Sequence, residues 1–208
     1  MRGERAPDYG GVSAEDRRAE RRTRLLAAAR ELWGEAGLSA VTVRGVCKQA
    51  GLIDRYFYEH FPGRDELLAA IADQLREELL TVLVQSGLTA EGSAEDKLRA
   101  ALRAFLEAVA QDRHIHRIMT SDFSAVPVLA QRRRDILGTI ADLVVHNVPA
   151  ALPGDYDPDA LRRAALFITG GVNQLIEDWL DHSIDLTADQ LAAHCAHMCI
   201  SVIERTPH

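Results

Sequence analysis

The side chains best suited to bind another molecule lie between Arg55 and His60, where an arginine, two tyrosines and a histidine are close together. Arginine can pair with the O6 and N7 atoms of guanine, and Tyr56 can contact a thymine methyl group or a phosphate. Asp54, just before them, could cap a helix or accept a hydrogen bond from cytosine N4. Presented on a short helix, this group predicts contact with DNA in the major groove.

A second group of reactive side chains is the run His194-Cys195-Ala196-His197-Met198-Cys199. Cys195 and Cys199 are four residues apart and share a helix face, as two ligands of a soft metal would. His194 and His197 point elsewhere around the same helix, so the four side chains cannot hold one ion. Free cysteine is often an ordinary buried residue. We therefore predict no metal and no cofactor, and keep a metal or redox sensor acting through the two cysteines as an alternative.

Catalysis is the third possibility, since acid–base chemistry needs histidines and carboxylates such as His114, His116, Glu177, Asp178 and Asp181. The sequence has no nucleophile motif, phosphate-binding loop or metal-spaced histidine pair to accompany them. We therefore expect that the chain is not an enzyme.

A polar stripe in an otherwise apolar helical segment suggests a ligand site instead. Thr169, Asn173 and Glu177 follow one another at four-residue spacing. Inside a helical bundle such groups need partners, which a bound ligand could supply, whereas on the surface water would supply them. For the first case we predict a largely apolar cavity between the long fourth helix and the helix that carries this stripe, with Asn173 or Glu177 as its polar anchor. The other predicted ligand-binding residues are Phe105, His116, Met119, Phe123 and Phe167.

The elements that position these residues are predicted to be helices throughout. Around the DNA-reading group, the pattern gives a first helix from Ser13 to Gly37 and a second that Thr42 caps and Gly51 ends. The third helix covers about residues 54–60, and Pro62-Gly63 ends it. This is the arrangement of a helix-turn-helix.

The rest of the chain also has helical periodicity, and no strand-like alternation or internal repeat interrupts it. Arg64-Asp65-Glu66 opens a long fourth helix, with acids in the first turn as the helix dipole prefers. Loops are predicted at Ser86-Gly87 and Glu91-Gly92-Ser93. Further helices are expected over about residues 94–113, 128–147 (stopped by Pro149), 158–182 (capped by Asp157) and 188–205 (capped by Thr187). The fold class is therefore all-α.

The charge is divided unevenly along the chain. Residues 1–64 hold 12 Arg and Lys against 9 Asp and Glu, which gives +3, and residues 65–208 hold 12 against 22, which gives −10, for the net −7 of the whole. The positive part coincides with the predicted DNA-reading part. No run of 18 apolar residues predicts a membrane segment, and the three cysteines form no disulfide framework, so we expect a cytoplasmic protein without membrane contact.

Three strings between Val41 and Leu68 resemble the DNA-binding domain of the TetR family of transcriptional regulators. They are Val41-Thr42-Val43-Arg44-Gly45-Val46-Cys47-Lys48-Gln49-Ala50-Gly51, Tyr56-Phe57-Tyr58-Glu59-His60-Phe61 and Arg64-Asp65-Glu66-Leu67-Leu68. The resemblance covers about residues 21–70. It departs from the family at Ile53, where Ser or Thr usually caps the recognition helix, and at Arg55-Tyr56, where a Gly-Thr pair is common. The missing cap would cost about 1 kcal/mol unless Asp54 caps instead.

The resemblance implies roles for particular residues. Tyr58 and His60 would contact phosphates, while Phe57 and Phe61 would be core. Thr42 and Arg64 would join them as phosphate contacts. Arg44, Arg55 and Tyr56 are candidates because their side chains can reach a base or a phosphate. The predicted DNA-binding residues are therefore Thr42, Arg44, Arg55, Tyr56, Tyr58, His60 and Arg64. Five arginines at the start of the first helix could follow the DNA backbone or simply form a solvated face; they are Arg17, Arg18, Arg21, Arg22 and Arg24.

Residues 1–13 contain Gly3, Pro7, Gly10 and Gly11 and few apolar groups, which predicts a disordered arm. The resemblance implies the organisation of the rest, a three-helix DNA-binding domain over 14–64 and a helical effector and dimerisation domain over 65–208. The last two long helices would pair in a homodimer, which binds a palindromic operator on double-stranded DNA. A small hydrophobic effector would release the operator, as for a repressor. An architectural DNA binder without an effector is the alternative. The effector, the operator sequence, the regulated genes, activation versus repression and the number of dimers per operator stay open.

Overall fold

The computed structural model describes residues 13–152 and 154–206, and within these ranges every regular element is a helix. The all-α prediction is confirmed there, and the predicted arm lies, apart from Ser13, outside the described residues. The helices are α1 Ala14–Ala36, α2 Val43–Ala50, α3 Asp54–Tyr58, α4 Arg64–Thr89, α5 Ala94–Gln111, α6 Arg113–Met119, α7 Pro127–Ala151, α8 Pro158–Leu180 and α9 Ala188–Glu204, with 3-10 turns at Leu38–Ala40 and Phe123–Ala125.

Side-chain caps start four of these helices where the sequence predicted. The Ser13 hydroxyl accepts a hydrogen bond from the Asp16 amide, and the Asp16 carboxylate accepts one from the Ser13 amide, which forms a capping box. Thr42 caps α2, Asp157 caps α8 and Thr187 caps α9, each through its own side chain. The helix starts are thus encoded locally.

Two predicted breaks are wrong. α4 continues through Ser86-Gly87 to Thr89, since Gly87 lets α5 approach closely: a Cβ placed there would lie 3.3 Å from that of Ala101. α7 continues through Pro149 for two further residues. Pro149 has no N–H to donate to the carbonyl of Val145, and the helix ends two residues after it. The helix predicted over about residues 94–113 is α5, which ends at Gln111, and the Asp112 carboxylate caps a further helix, α6, that was not predicted.

The largest core cluster joins the first three helices to the rest of the molecule. Trp33, Phe57 and Leu68 are fully buried in it, and it continues through α4 into α6 and α7. The indole of Trp33 donates to the Ser121 hydroxyl at 2.9 Å. The helix-turn-helix part therefore sits on α4 and α6 through continuous apolar packing.

The C-terminal helices have a divided core. α5 packs on α4 and α9, and α7 packs on α8. Besides the large cluster there are two smaller ones, a cluster around Leu106 and Cys195 and another around Leu161 and Ile203. Half-buried apolar side chains such as Val172 lie between the two smaller clusters. No helix in the described ranges is long and apolar enough to cross a membrane.

Candidate nucleic-acid interface

The turn between α2 and α3 is held by backbone hydrogen bonds and one arginine. Gly51 takes the left-handed conformation, with φ 64° and ψ 40°, which costs glycine no steric strain. The Leu52 amide donates to the Cys47 carbonyl at 2.9 Å. Arg24 of α1 donates to the Ala50 carbonyl at 2.5 Å and so satisfies the C-terminal end of α2. This role of Arg24 was not predicted.

The start of α3 has no side-chain cap. Ile53 occupies the cap position, and the Asp54 carboxylate does not replace the missing hydroxyl, so the predicted compensation by Asp54 is wrong. Asp54 instead lies beside the thiol of Cys47, whose pKa is raised to about 11 by burial and by a hydrogen bond to Asp54. Apolar packing holds the helix in place, because Phe57 is fully buried and packs against Phe61, with 5.8 Å between the two ring centres.

Two side chains of α3 extend into solvent, where a bound molecule could contact them. Tyr58 is 59% exposed, and the side chain of Arg55 is 81% exposed, with its guanidinium 3.3 Å from the Glu59 carboxylate. Arg44 of α2 is exposed as well. Tyr56 is half-buried beneath the guanidinium of Arg21, at 4.7 Å from the ring centre. The helix is therefore anchored by Phe57 and presents its polar side chains outward.

His60 lies just beyond α3 in a partly buried, strongly positive place. Its Nε2 atom is buried and has no hydrogen-bond partner among the described residues. Burial lowers the pKa of His60, and the nearby Arg18, Arg21 and Arg22 lower it further, against an opposing effect of Glu59. The imidazole is consequently neutral near pH 7 and has an unused nitrogen.

Thr42 and Arg64, both predicted phosphate contacts, also have structural partners. The Thr42 hydroxyl accepts from the Gly45 amide at 3.1 Å. Arg64 donates from Nε to the Val41 carbonyl at 2.5 Å and from Nη2 to the Leu38 carbonyl at 2.8 Å. Arg64 thus ties the start of α4 to the turn before α2, and only part of its guanidinium stays available for a phosphate.

The predicted effector residues do not gather around one cavity. Phe105, Met119 and Phe123 are partly buried against the large core cluster. Nε2 of His116 lies 3.0 Å from the Leu180 carbonyl oxygen. Phe167 was predicted to be interior, and this is wrong: it is 72% exposed, on the opposite face of α8 from the buried residues.

Two depressions of about 490 and 500 Å³ are found elsewhere in the described structure. The first is lined by α8 and α9 residues, including Arg163 and Ser201, and the second lies by Ser39 and Asp122. None of the seven predicted effector residues lines either, and neither corresponds to the predicted cavity between α4 and α8.

The polar stripe of α8 is paired to α7. Asn173 donates to the Glu177 carboxylate at 3.2 Å, and Arg133 of α7 donates to the same oxygen. Thr169, the third member, is buried, and its hydroxyl has no partner in the described residues. The polar groups predicted to need a ligand therefore partly satisfy one another.

The cysteines show the features of buried structural residues. Cys195 and Cys199 are buried in α9, and burial raises the pKa of both thiols, for Cys199 to about 12. A thiol with a raised pKa is a weak nucleophile and a weak metal ligand at neutral pH. Among residues 13–152 and 154–206, no three His, Cys, Asp or Glu side chains are grouped as metal ligands.

Comparison with known families accounts for this arrangement. The family described as bacterial regulatory proteins, tetR family, matches residues 25–71. A second, described as tetracyclin repressor-like, C-terminal domain, matches residues 91–203, more than half of the chain. The chain belongs to the TetR family. It thus has a helix-turn-helix domain and a C-terminal helical domain of the TetR type.

Two curated relatives of this TetR-family regulator match it over part of their length. The HTH-type transcriptional activator FasR of Mycolicibacterium smegmatis is 31% identical over 62% of this chain and 59% of its own. The HTH-type transcriptional repressor KstR2 of Rhodococcus jostii is 30% identical over 56% of this chain and 61% of its own. The chain therefore spans about three fifths of each relative.

Solved structures support the same fold over nearly the whole TetR-family chain. A transcriptional regulator from Rhodococcus sp. Rha1 has a TM-score of 0.63 at 23% identity, covering 88% of this chain and 95% of its own. The regulator FadR of Bacillus subtilis, solved in complex with stearoyl-CoA, has a TM-score of 0.64 at 16% identity, covering 87% and 98%. At these identities the likeness concerns the fold.

Proposed function

We propose that this TetR-family regulator represses transcription by binding a palindromic operator as a homodimer, and that a small effector releases it. The observation that best supports DNA binding is the exposure of the polar face of α3. Phe57 is fully buried and anchors the inner face of the helix in the core, while Arg55 and Tyr58 extend into solvent. A short helix with an arginine and a tyrosine on its free face fits a major groove.

An exposed apolar face on α8 supports the homodimer. Phe167 and Leu166 are both exposed there, and Cβ atoms built on Gly170 and Gly171 would meet no atom within 4 Å. Met198 adds an exposed apolar side chain on α9. Large exposed apolar side chains beside small residues are typical of a helix interface that a partner covers. Two-fold symmetry would then place the two α3 helices about 34–36 Å apart on DNA.

The polar stripe of α8 supports an effector whose head accepts hydrogen bonds. Unused hydrogen-bond donors remain there: a described residue engages only one of the N–H groups of Arg133, and the Thr169 hydroxyl has no partner among the described residues. The neighbouring Val172 and Leu137 are apolar and half-buried. We therefore propose a mostly apolar molecule with a carboxylate or carbonyl head. FadR, which shares the fold, was solved with stearoyl-CoA, an acyl thioester.

Helix α6 offers a route from this domain to the DNA-binding part. His116 of α6 contacts the end of α8 through the Leu180 carbonyl. On the other side, Arg117 donates to the Glu35 carbonyl of α1 at 2.9 Å. A ligand that moves α8 relative to α7 would shift α6 and hence α1. Release requires that the effector binds the released conformation more tightly than the DNA-bound one.

Two variants of α3 test the DNA-binding proposal. Tyr58→Ala should weaken binding to all sequences alike, since a phosphate contact carries no sequence information. Arg55→Ala should lose about 1–3 kcal/mol of binding free energy for the operator and relax the base preference at one position in each half-site. The exposed Arg103 of α5 supplies the matched control, Arg103→Gln, which should bind as the wild type does. Equal affinity of wild type and both α3 variants for operator and random duplexes would contradict the proposal.

A panel of decyl compounds tests the effector. Decanoic acid and methyl decanoate should raise the melting temperature of the protein and release the operator, whereas decylamine should not. Arg133→Gln should weaken decanoate binding at least tenfold, and Arg134→Gln, an exposed neighbour paired with Gln131, should not. Preference for the amine would contradict the proposed head chemistry. A wider panel of apolar metabolites should also be tested. If none of its compounds changed operator binding, the effector-free architectural function would be favoured.

A further inference from the structure

Glu59 stands at a position where helix stability and attraction to DNA both disfavour a carboxylate. It lies at the C-terminal end of α3, where the free carbonyl groups of a helix repel a negative charge. Its ion pair with Arg55, one helical turn earlier, has the less favourable order of the two charges along a helix. A carboxylate beside α3 would also repel the phosphates of a bound duplex. An acid that breaks these local rules indicates a role other than helix stability.

The structure holds Glu59 from α1. Nη2 of Arg18 donates to the Glu59 carbonyl at 3.2 Å, which restrains the backbone. Nη2 of Arg21 lies 3.8 Å from Oε2 of Glu59, which restrains the side chain. Arg21 also covers the ring of Tyr56, at 4.7 Å from the ring centre, and only 23% of its side chain is exposed. The Glu59 carboxylate is therefore held by an arginine that packing already restrains.

The other oxygen of the same carboxylate holds Arg55. Oε1 of Glu59 lies 3.3 Å from Nε of Arg55, whose side chain otherwise extends into solvent. A guanidinium that is held at Nε can still offer its two terminal amino groups, which fit the O6 and N7 atoms of guanine. Arg21, Glu59 and Arg55 therefore form a chain of contacts from α1 to the side chain that is placed to read a base.

Restraint of Arg55 in the free protein has two consequences for DNA binding. Ordering an exposed arginine at an interface costs conformational entropy, and a restraint that is already present reduces this cost. The Glu59 charge also offsets that of Arg55 and weakens its attraction to phosphates, which are present at every sequence. The first effect strengthens binding to the matching base, whereas the second weakens binding to unrelated sequences.

We propose that Glu59 is a positioning residue for base recognition, which orients Arg55 toward guanine and limits its use as a general phosphate contact. The proposal rests on the proposed operator binding, in which Arg55 reads a base, and it adds the residue that determines how selectively Arg55 does so. The competing explanation is that Glu59 only braces α3 against α1. Loss of a brace would weaken binding to all duplexes alike.

Titrations of the full-length protein with matched duplexes separate the two explanations. The base pair read by Arg55 is first located as the one at which Arg55→Ala relaxes the preference. Duplexes with G·C or A·T at that position are then compared, together with a random duplex. Glu59→Gln should reduce the preference for G·C about two- to tenfold and raise the affinity for the random duplex. In the Arg55→Ala background the same change should no longer affect the base preference.

The pair of Arg103 and Glu107 on α5 supplies the matched control. It has the same spacing along its helix, with 3.8 Å between Nε of Arg103 and Oε1 of Glu107, and it lies outside the helix-turn-helix part. Glu107→Gln should therefore leave the base preference and the random affinity at the wild-type values.

Two results would overturn the positioning role of Glu59. One is an unchanged base preference in Glu59→Gln, and the other is an equal loss of affinity for all three duplexes, which would support simple bracing. Both leave operator binding itself intact. If Arg55→Ala relaxed no base preference, the proposed reading of a base by Arg55 would be wrong, and the positioning role would fall with it.

Discussion

Gly34 of α1 and His114 of α6 meet so closely that a Cβ atom built on the glycine would lie 2.5 Å from that of the histidine. It would also lie 2.9 Å from the His114 Cα atom, so a rotation of the side chain alone could not relieve the contact. Glu35, the next residue of α1, accepts hydrogen bonds from Arg113 and Arg117 of α6. The crossing of α1 and α6 therefore depends on the absence of a side chain at one position.

Gly34→Ala should reduce the stability of the protein. An alanine in mid-helix contributes about 1 kcal/mol relative to glycine, but overpacking typically costs about 1–3 kcal/mol. We expect a net loss of up to about 2 kcal/mol in the free energy of unfolding, measured by chemical denaturation. Gly138→Ala in α7 is the control, since its Cβ would meet nothing within 4 Å, and it should stabilise by about 0.5–1 kcal/mol. Equal stability of the two variants would show that the crossing tolerates a methyl group.

His60 should make stability depend on pH in a defined direction. Its pKa is lowered in the folded protein, first by burial and then by Arg18 and Arg21, so the unfolded chain binds the proton more readily. The folded state should therefore lose stability as pH falls through about 6.5, the ordinary histidine pKa.

Urea denaturation at pH 8.0 and pH 5.5 checks this dependence. His60→Gln should show a smaller loss of stability on acidification than the wild type, and Arg18→Gln should show an intermediate loss. A variant without His60 that loses as much stability as the wild type would show that other groups cause the dependence.

The exposed face of α8 should be the dimer interface. Phe167→Glu places a charge where the proposed partner subunit packs, and an unpaired buried charge strongly disfavours association. We expect a dimer of twice the 22.9 kDa chain for the wild type and a monomer for the variant, by light scattering after gel filtration. Leu88→Glu changes an equally exposed side chain of α4, 79% exposed, and should stay dimeric. A monomeric wild type at micromolar concentration would refute the interface.

Cys195 and Cys199 should not respond to oxidants. Both thiols are buried, and burial raises the pKa of each, so little thiolate exists at pH 7. Iodoacetamide should label them slowly in the native protein and rapidly in urea, as followed by mass spectrometry. Rapid labelling of native protein, together with loss of DNA binding in peroxide that Cys195→Ser prevents, would instead support the redox-sensor alternative.

The helix-turn-helix could be predicted because its signals are local. Thr42 caps a helix through its own side chain, and Gly51 supplies the left-handed residue, so neighbouring residues determine both ends of α2. The role of Arg24 could not be predicted, since its carbonyl partner at Ala50 is brought near only by folding. The same applies to Arg64, whose guanidinium contacts carbonyl groups of an earlier turn.

The surroundings of the predicted effector residues were harder to predict, because helical phase shows which residues share a face but not which helix packs against that face. Asn173 and Glu177 share a face with Thr169 as expected, but Arg133, which pairs with Glu177, comes from a different helix. Phe167 was placed inside because it is large and apolar, whereas the structure exposes it. A large apolar side chain looks the same in the sequence whether the core buries it or a second subunit would cover it.

Selection from a random DNA library tests the central claim most directly. Wild-type protein should enrich a palindrome with half-sites about one helical turn apart, and gel-shift titration should give one dimer, or two, per site. Tyr58→Ala, which folds around the unchanged Phe57, should bind the same duplex more weakly, and its affinity should decline with salt as a phosphate-contacting protein requires. Enrichment of no palindrome by the wild type, in a protein that is folded and dimeric, would contradict operator recognition through α3.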